Sequence, residues 1–413
     1  MHSQDKIASV HRSMKRPLAC TLAASAAGII GGRSLAWRFE DAYWYYQIAS
    51  GNRHVLEPFA NRQLDPVAAR LLAQLHLSLI HSFELIGLIS FVGFAFWIFL
   101  LLDREQIPTR LMIGVVLTSF WAVAFGEYML PDTLNNFLLL VLITLLMRSQ
   151  YMAAMLMLLP LQMSRETGVL VAACVVIAAW KQLRIQHLLA GAASLLAGAE
   201  SVKKFSSGNL GNVHHLNAFV YLALKVPFNF SNNVLGIQPW ANTLRLVCKV
   251  PRWSVPFSIG GIRGVGICGY SAGFPLYTAS SLVCEFGLLV LPAWFVVRRL
   301  EVAPYLRFCI FYGAICFVLA PVIGPPQDRL VAYSWPLFLI AVPLILQEHA
   351  KRIPWSAVLL AGAASWSYLL FELHGYGVTL LIPLLLSLAA FPLLGRGYRT
   401  GGGEYGPERT TAS

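Results

Sequence analysis

The sequence predicts an all-α fold, a polytopic bundle of about 12 transmembrane segments with interfacial helices in the first outer loop and a larger outer loop as a cap. Three observations predict it. Hydrophobic residues make up 57% of the chain and charged residues only 12%, about half the charged share of an average soluble domain. Apolar runs of membrane-crossing length recur along the chain. Basic residues concentrate in alternate connections between these runs, which is the positive-inside pattern.

The apolar runs give the predicted crossings in order. A spanning helix needs about 20 apolar residues, or fewer where neighbouring helices shield it. The candidate segments are 18–36, 84–102, 111–130, 134–147, 152–163, 168–180, 188–199, 274–297, 305–323, 330–346, 354–371 and 376–394. We interpret residues 1–395 as a single membrane domain. The tail 396–413 is rich in Gly, Thr and charge, which predicts a disordered segment.

The charges of the connections predict the orientation. The N-terminal segment and the inside connections hold Lys6, Arg12, Lys15, Arg16, Arg104, Arg110, Arg148, Lys181, Arg184, Arg298, Arg299, Lys351 and Arg352. The short outside connections hold only Arg165 and Arg329. Because basic residues stay on the cytoplasmic side, both termini are expected in the cytoplasm. We expect a multi-pass protein of a bacterial cytoplasmic membrane.

The net charge of +12 does not predict a nucleic-acid partner. The basic residues are scattered singly between apolar runs, whereas nucleic-acid binding needs a basic stripe or patch on one surface. We interpret them as topology signals and, in part, as a possible anion site. Membrane lipids are therefore the expected surroundings.

Two outer loops, 37–83 and 200–273, are too long to be simple connectors. The first contains an aromatic cluster suited to the membrane–water interface, and its alternative role is a simple anchor. A second interfacial helix is expected to start at Asp65-Pro66, with Asp65 as its cap. The second loop is rich in Asn, Gly, Pro and Trp, which favours a folded cap.

The second loop also holds the two cysteines that lie outside apolar runs, Cys248 and Cys268. Disulfides persist in oxidising compartments such as the periplasm. The pair is therefore a candidate disulfide, and two free thiols in a folded cap are the alternative.

Acidic and basic residues close to the outer ends of the apolar runs are the candidates for chemistry. Ionisable residues at such positions usually face a protein interior or a water-filled cavity. They are Arg38, Glu40, Asp41, Arg62, Glu127, Asp132, Arg165, Glu166, Asp328 and Arg329. They predict a polar cleft, and the alternative is a set of interfacial salt bridges and helix caps. For Asp132 the alternative is an acid at the start of a helix.

Asp41 is the candidate catalytic carboxylate, with Asp132 as the next residue to test. On a helix that begins near Glu40, Asp41 shares a face with Trp44 and Tyr45, which places this carboxylate beside two aromatic rings. Glu40 points away and is a helix-start charge or a weak candidate metal neighbour.

Arg62 and Arg329 are the candidates for holding a phosphate, because the guanidinium fork matches phosphate oxygens. The alternative is a structural ion pair. Arg329 would then pair near Asp328, and Arg62 with Glu57 or Asp65.

The order of these motifs resembles the GT-C superfamily of membrane glycosyltransferases. The matching residues are Glu40-Asp41, Pro58-Phe59 and Arg62 in the first loop, then Pro131-Asp132, Arg165-Glu166 and the late Arg329. The motif resemblance covers about the first 170 residues, and beyond them it is one of topology. Each motif is short, so their order is the stronger signal.

This resemblance implies an enzyme that moves a sugar from a polyprenyl-phosphate donor to a lipid, glycan or protein acceptor on the outer face. It implies that Asp41 and Asp132 are catalytic. The substrate-binding residues would be Trp44, Tyr45, Arg62, Arg165, Glu166 and Arg329, and the rings of Trp44 and Tyr45 could stack on the sugar. Some members of the superfamily need a divalent cation such as Mg²⁺ or Mn²⁺. Here the acidic pair reads Glu-Asp and no soluble C-terminal domain is expected, which leaves metal use and acceptor class open.

Two other classes of function remain alternatives. A transporter or lipid flippase also needs polar residues within the membrane, but we find no inverted repeat and no paired broken segments. A non-catalytic scaffold would use the second loop to bind a partner. Loss of function on Asp41→Asn favours the enzyme, whereas tolerance of that change together with dependence on 200–273 favours the scaffold.

Overall fold

Helices make up most of the chain in this computed structural model, which confirms the prediction of a mainly helical protein. The structure describes residues 2–33, 40–52, 55, 59–206, 218–241, 250–256, 264–287, 302–324, 327–374 and 381–399.

The first half of the chain forms eleven helices among the described residues. They are α1 (His2–Arg33), α2 (Glu40–Ala49), α3 (Leu64–Ala73), α4 (Leu79–Arg104), α5 (Thr109–Val116), α6 (Phe120–Gly126), α7 (Pro131–Met147), α8 (Tyr151–Leu156), α9 (Leu158–Ser164), α10 (Gly168–Ala179) and α11 (Ile185–Phe205). A short 3₁₀ turn, Phe59–Asn61, precedes α3. The first predicted outer loop therefore does contain two short helices, α2 and α3.

The second half combines helices with a small sheet. Its elements are α12 (Ala218–Asn233), β1 (Ile237–Ala241), β2 (Trp253–Val255), β3 (Val265–Tyr270), α13 (Gly273–Cys284), α14 (Pro304–Ile323), α15 (Gln327–Ala332), α16 (Val342–Leu346), α17 (Trp355–His374) and α18 (Leu381–Arg399). A π-helical segment, Pro336–Ala341, leads directly into α16, and a 3₁₀ segment, Gln347–Arg352, follows it.

Two described helices are long and apolar enough to cross a membrane, α4 and α14. The number becomes three if α5 and α6, which are bent by 41° relative to each other, form one broken span. Five shorter apolar helices accompany them among the described residues: Pro131–Met147, Tyr151–Ser164, Gly168–Ala179, Pro336–Leu346 and Leu381–Ala390. These helices are compatible with a membrane protein.

Three predicted segments differ in detail from the helices observed. The run 111–130 is divided between α5 and α6, with a bend at 117–119. The run 274–297 is helical only to Cys284, and its part from 288 lies outside the described residues. The helix predicted to start at Asp65-Pro66 begins instead at Leu64, where Gln63 precedes it and gives no side-chain cap. Asp65 thus lies inside the first turn and does not cap it.

The cap predicted from 200–273 contains strands that the sequence analysis did not identify. After α12, three short antiparallel strands pair in the order β1-β3-β2. Gly266 in β3 pairs with Ser254 of β2, and the strands lie so close there that a Cβ on Gly266 would be 2.3 Å from the Trp253 carbonyl oxygen. The strands are short and contain Gly and Pro, so they lack the alternation that marks a strand in sequence.

Cysteines in the described residues fall into two groups. Cys268 of β3 is disulfide-bonded, and Cys20, Cys174, Cys284, Cys309 and Cys316 are free. The proposed partner Cys248 lies outside the described residues. The Cys248–Cys268 pairing therefore stays a prediction.

Helix α1 packs closely on α6 through small residues. A Cβ on Gly28 would lie 2.8 Å from the Trp121 carbonyl oxygen, and one on Gly32 would lie 2.8 Å from the Gly126 nitrogen. Glycines four residues apart allow two helix backbones to approach, as they do in membrane helix pairs. The first helix is thereby fixed against the centre of the bundle.

Basic side chains join the connections at one end of the bundle. Arg16 of α1 pairs with Asp103 at the end of α4, at 3.3 Å. Arg110 donates to the Ile353 carbonyl, and its guanidinium lies 5.2 Å from the Trp355 ring. These contacts place the start of α5 beside the start of α17. The outer ends predicted from sequence lie at the opposite end of the same helices.

Candidate functional site

Seven charged residues from five separate segments meet where the helices α2, α7, α10 and α15 begin. We call them the charged cluster: Asp41, Arg62, Glu127, Asp132, Arg165, Glu166 and Arg329. Six of these residues are predicted site residues, and Glu127 was noted as an outer acid. Sequence separations of up to 288 residues show that folding, and not local sequence, brings them together.

Arg329 lies at the centre of the charged cluster and contacts three carboxylates. Its Nη1 donates to Asp41 Oδ2 and its Nη2 to Asp132 Oδ2, each at 2.6 Å. Its Nε lies 3.3 Å from Glu127 Oε1. Every nitrogen of this guanidinium therefore faces a carboxylate.

Asp132 joins Arg329 to a second arginine. The α7 helix starts with Pro131, which suits the first helical position, so Asp132 sits in the first turn, where an acid is favoured. Its second oxygen accepts from Arg165. The Asp132 side chain is 1% exposed, so its charge depends on these two guanidiniums for compensation.

Arg62 forms a bidentate ion pair with Glu166. Its Nε and Nη2 donate to the two carboxylate oxygens at 3.0 and 2.7 Å, while Nη1 donates to the Tyr45 hydroxyl at 2.9 Å. Partial burial would raise the pKa of the Glu166 carboxyl, whose side chain is 44% exposed, but the facing Arg62 guanidinium holds that pKa well below its usual range. Glu166 is thus charged at any physiological pH.

Arg62 and Arg329, the predicted phosphate-binding residues, are therefore both engaged in ion pairs, as the alternative interpretation expected. Their partners differ from those that interpretation named. Arg62 pairs with Glu166, and Arg329 pairs with Asp41, Glu127 and Asp132. Asp328 is fully buried and accepts from the Tyr277 hydroxyl at 3.1 Å.

The two predicted sugar-stacking aromatics differ in their surroundings. Trp44 is partly buried and stacks on Phe59, with ring centroids 5.9 Å apart. Tyr45 is fully buried, so its ring has no face open to a sugar here and its hydroxyl instead positions Arg62. The expectation that Tyr45 contacts substrate is therefore not met by this geometry. The side chain of Glu40 lies outside the described residues.

Two residues near the charged cluster were not predicted from the sequence to belong to the site. Tyr333 lies under Arg165, with the guanidinium carbon 4.4 Å from the ring centroid. Asp65 lies on α3 and is 2% exposed. The signal for Asp65 was present in the LDP motif, but it also fits a simple helix start.

Burial, together with the negative charge of Asp132, raises the pKa of the Asp65 carboxyl to about 8. The unfolded chain would bind that proton only below a pH of about 4. Between these values the folded protein holds more protons than the unfolded chain. Stability therefore falls as the pH rises from about 4 to about 8.

Replacing Asp65 by Asn is expected to flatten this dependence. The neutral amide has no charge to bury, so Asp65→Asn should melt at a higher temperature than wild-type protein at pH 8, with little difference at pH 4. Asp65 contributes a slope of at most about 1.4 kcal/mol per pH unit. Melting curves in detergent across this range measure it, and Glu84→Gln, an exposed acid, is the control. Parallel profiles for wild type and Asp65→Asn would contradict the expectation.

A small cleft opens beside the charged cluster, with a volume of about 120 Å³. It lies between α2, the 59–67 segment and the end of α11. Polar and apolar groups share its wall: Asn52, Gln63, Arg70, Lys204 and Ser206 with Ile48, Val55, Pro66 and Phe205. None of the residues of the charged cluster lines this cleft, and its volume is smaller than that of a typical ligand pocket.

Helix α4 supports the turn that carries Glu127. A Cβ on Gly87 would lie 1.7 Å from the Tyr128 carbonyl oxygen, so only glycine allows this approach. The turn 127–130 therefore rests directly on the α4 backbone. This contact sets the position of Glu127 relative to the bundle.

The Arg329 guanidinium occupies the space in which a divalent cation would lie within the charged cluster. Across the described part of the chain, no group of three or more His, Cys, Asp or Glu side chains is placed to hold a metal ion. The space between Asp41 and Asp132 is taken by the Arg329 guanidinium. A cation between these carboxylates would have to displace that arginine.

Comparisons with protein-family models, with curated proteins and with solved structures each found no match. The functional interpretation therefore rests on the site itself.

Proposed function

We propose that the protein is a multi-pass membrane glycosyltransferase that moves a sugar from a polyprenyl-phosphate donor to an acceptor hydroxyl at the outer face. One observation carries the proposal: three arginines and four carboxylates meet at one end of an apolar helical bundle, with Asp41 the exposed member around Arg329. Such a site offers cations for a phosphate leaving group and a carboxylate for a proton.

The surface of the bundle supports a membrane location. Large apolar side chains point outward along many helices, including Leu22, Ile30, Ile89, Val169, Ile177, Leu189, Leu196, Val318, Leu359, Leu385 and Leu388. Exposed apolar surface on this scale needs a partner, and lipid tails provide one along the full length of the helices. We propose about twelve crossings, with the shorter helices shielded by their neighbours.

The proposed reaction assigns a task to each part of the charged cluster. The acceptor oxygen attacks the anomeric carbon of the sugar, and the bond from that carbon to the phosphate oxygen breaks. The phosphate leaves with the bonding electrons, and the arginines stabilise its charge. Asp41 takes the proton of the acceptor hydroxyl. Asp41 suits this task better than Asp132, because its side chain is 34% exposed and that of Asp132 is 1% exposed.

The proposed orientation places the charged cluster outside and the Arg16 and Arg110 end in the cytoplasm. Reporter fusions after Arg148, Lys181 and Lys351 are expected to report the cytoplasm, because basic connections are retained there. Fusions within 200–273 are expected to report the opposite side. A cytoplasmic signal from that loop would reverse the orientation and remove the proposed outer site.

Sugar transfer by purified protein tests the proposed function. The protein is reconstituted in lipid nanodiscs with polyprenyl-phosphate sugars of several kinds, and release of free polyprenyl phosphate is followed by mass spectrometry. Turnover that depends on the protein and on an acceptor supports the transferase. Movement of intact donor across vesicle membranes without cleavage would instead identify a flippase.

A further inference from the structure

Arg329 is only 10% exposed, and of the three carboxylates around it only Asp41 is substantially open to water. Its three nitrogens face Asp41, Glu127 and Asp132 at 2.6 to 3.3 Å. A guanidinium carries five N–H groups, so Nη1 and Nη2 each keep one more N–H, and a phosphate oxygen binds such groups at similar distances. A phosphate that arrives from water therefore meets Arg329 at Nη1, where Asp41 lies.

The three carboxylates differ in how readily they can leave. The side chains of Asp132 and Glu127 are 1% and 4% exposed, and that of Asp41 is 34% exposed. A buried carboxylate that loses its cation has no water to replace it, which is strongly unfavourable. The Asp41 carboxylate is open to water on one side, so water can solvate it as it leaves Arg329. Asp41 is therefore the partner that exchanges.

We propose that a phosphate ester and Asp41 compete for Nη1 of Arg329, so that binding of the phosphate releases the Asp41 carboxylate. The released carboxylate is then free to accept a proton from the second substrate, a consequence that rests on the proposed function. In the absence of phosphate, the ion pair keeps Asp41 from acting as a base. Donor binding thereby frees the Asp41 carboxylate to act as a base.

Charge also selects the class of phosphate. After Asp41 leaves, Arg329 still faces two buried carboxylates, and a ligand with one negative charge restores the present balance. A phosphate diester carries one charge, whereas a diphosphate brings at least one more into a site with three arginines and several acids. Like charges held close together in a poorly solvated site repel strongly. The site is therefore built for a lipid or sugar monophosphate diester.

Binding of short-chain phosphates to purified, full-length protein tests the exchange. Dihexyl phosphate serves as the diester probe, with hexyl diphosphate and inorganic phosphate as comparisons, and calorimetry gives the dissociation constants. Asp41→Asn removes the competing charge and keeps the size of the side chain. It is expected to bind dihexyl phosphate several-fold to about tenfold more tightly than wild-type protein, because one competing carboxylate that is partly open to water has been removed.

Glu84→Gln is the matched control. Glu84 is an exposed acid near the start of α4, and it pairs with His81 and not with Arg329. Its affinity for the diester should match that of wild-type protein. Equal tightening in both variants would indicate a general charge effect and overturn the exchange, as would unchanged or weaker binding by Asp41→Asn. Tighter binding of the diphosphate or of inorganic phosphate would overturn the assignment to a diester.

A second measurement uses the wild-type protein. Carbodiimide-dependent labelling of Asp41, quantified by mass spectrometry, should rise when saturating dihexyl phosphate is added, because the carboxylate leaves Arg329. Constant or reduced labelling would refute the release. Neither measurement depends on sugar transfer. If Asp41→Asn binds phosphate more tightly yet still transfers sugar, the exchange stands and the assigned base is wrong.

Discussion

Purified Asp41→Asn protein is expected to fold normally and to transfer sugar at least about a hundredfold more slowly than wild-type protein, which is the usual cost of removing a general base. Asn keeps the size of Asp and serves about equally well near a helix start. It can still accept a hydrogen bond from Arg329 through its amide oxygen. It cannot take a proton from an acceptor hydroxyl.

The measurement compares initial rates at saturating donor, together with thermal melting of both proteins. Normal melting with a large loss of rate assigns Asp41 to the reaction. The competing interpretation, an acid that only stabilises the start of α2, predicts a loss of stability of about 0.5–2 kcal/mol and a nearly unchanged rate. A near wild-type rate for Asp41→Asn would exclude Asp41 as the base and make Asp132 the next residue to test.

Asp132→Ala is expected to destabilise the protein by about 3–5 kcal/mol, the cost of breaking a buried ion pair by removing one partner. The Asp132 carboxylate compensates the guanidiniums of both Arg165 and Arg329. Its removal leaves the buried Arg165 guanidinium without its carboxylate and Arg329 with two carboxylates in place of three. The apparent unfolding free energy in mixed detergent, titrated with a denaturing detergent, measures the effect.

Asp103→Ala is the control for this change. Asp103 also pairs with an arginine, Arg16, but the arginine is 34% exposed and the contact is longer, at 3.3 Å. A pair with such access to water contributes about 1 kcal/mol or less. Equal losses for the two variants would mean that Asp132 has no special part in the stability of the charged cluster.

The position of the site at one end of the helical bundle could be predicted from sequence, because charged residues next to apolar runs must lie near the ends of the helices. Asp41, Asp132 and Arg329 each follow this rule and come together at one end. Their pairing could not be predicted. Arg62 has Glu57 and Asp65 nearby in sequence, yet its partner is Glu166, 104 residues away, since long-range packing decides which acid it meets.

Other features could not be predicted because the local sequence fits more than one structure. The aromatic run around Tyr45 fits an anchor in the membrane interface and a surface on which a sugar stacks equally well. Only the packing of Tyr45 in a cluster that includes Ala69 of α3 shows that this side chain is buried. The strands of the cap are three to six residues long. Their sequence contains Gly and Pro where a longer strand would show alternation. Asp65 resembles a helix cap, and its burial depends on neighbours remote in sequence.

The contact between Gly87 and the Tyr128 carbonyl fixes the depth at which the chemistry would occur. From Gly87 to Arg104, helix α4 rises about 26 Å, close to the roughly 30 Å thickness of a hydrocarbon layer. In the proposed orientation, Arg104 lies at the cytoplasmic boundary, and the turn that carries Glu127 then lies at the outer boundary, next to the lipid phosphates. The proposed donor, anchored by its lipid tail, would present its phosphate at that same height. In a thinner or thicker bilayer the two heights would no longer agree, so bilayer thickness would contribute to substrate recognition by the proposed enzyme.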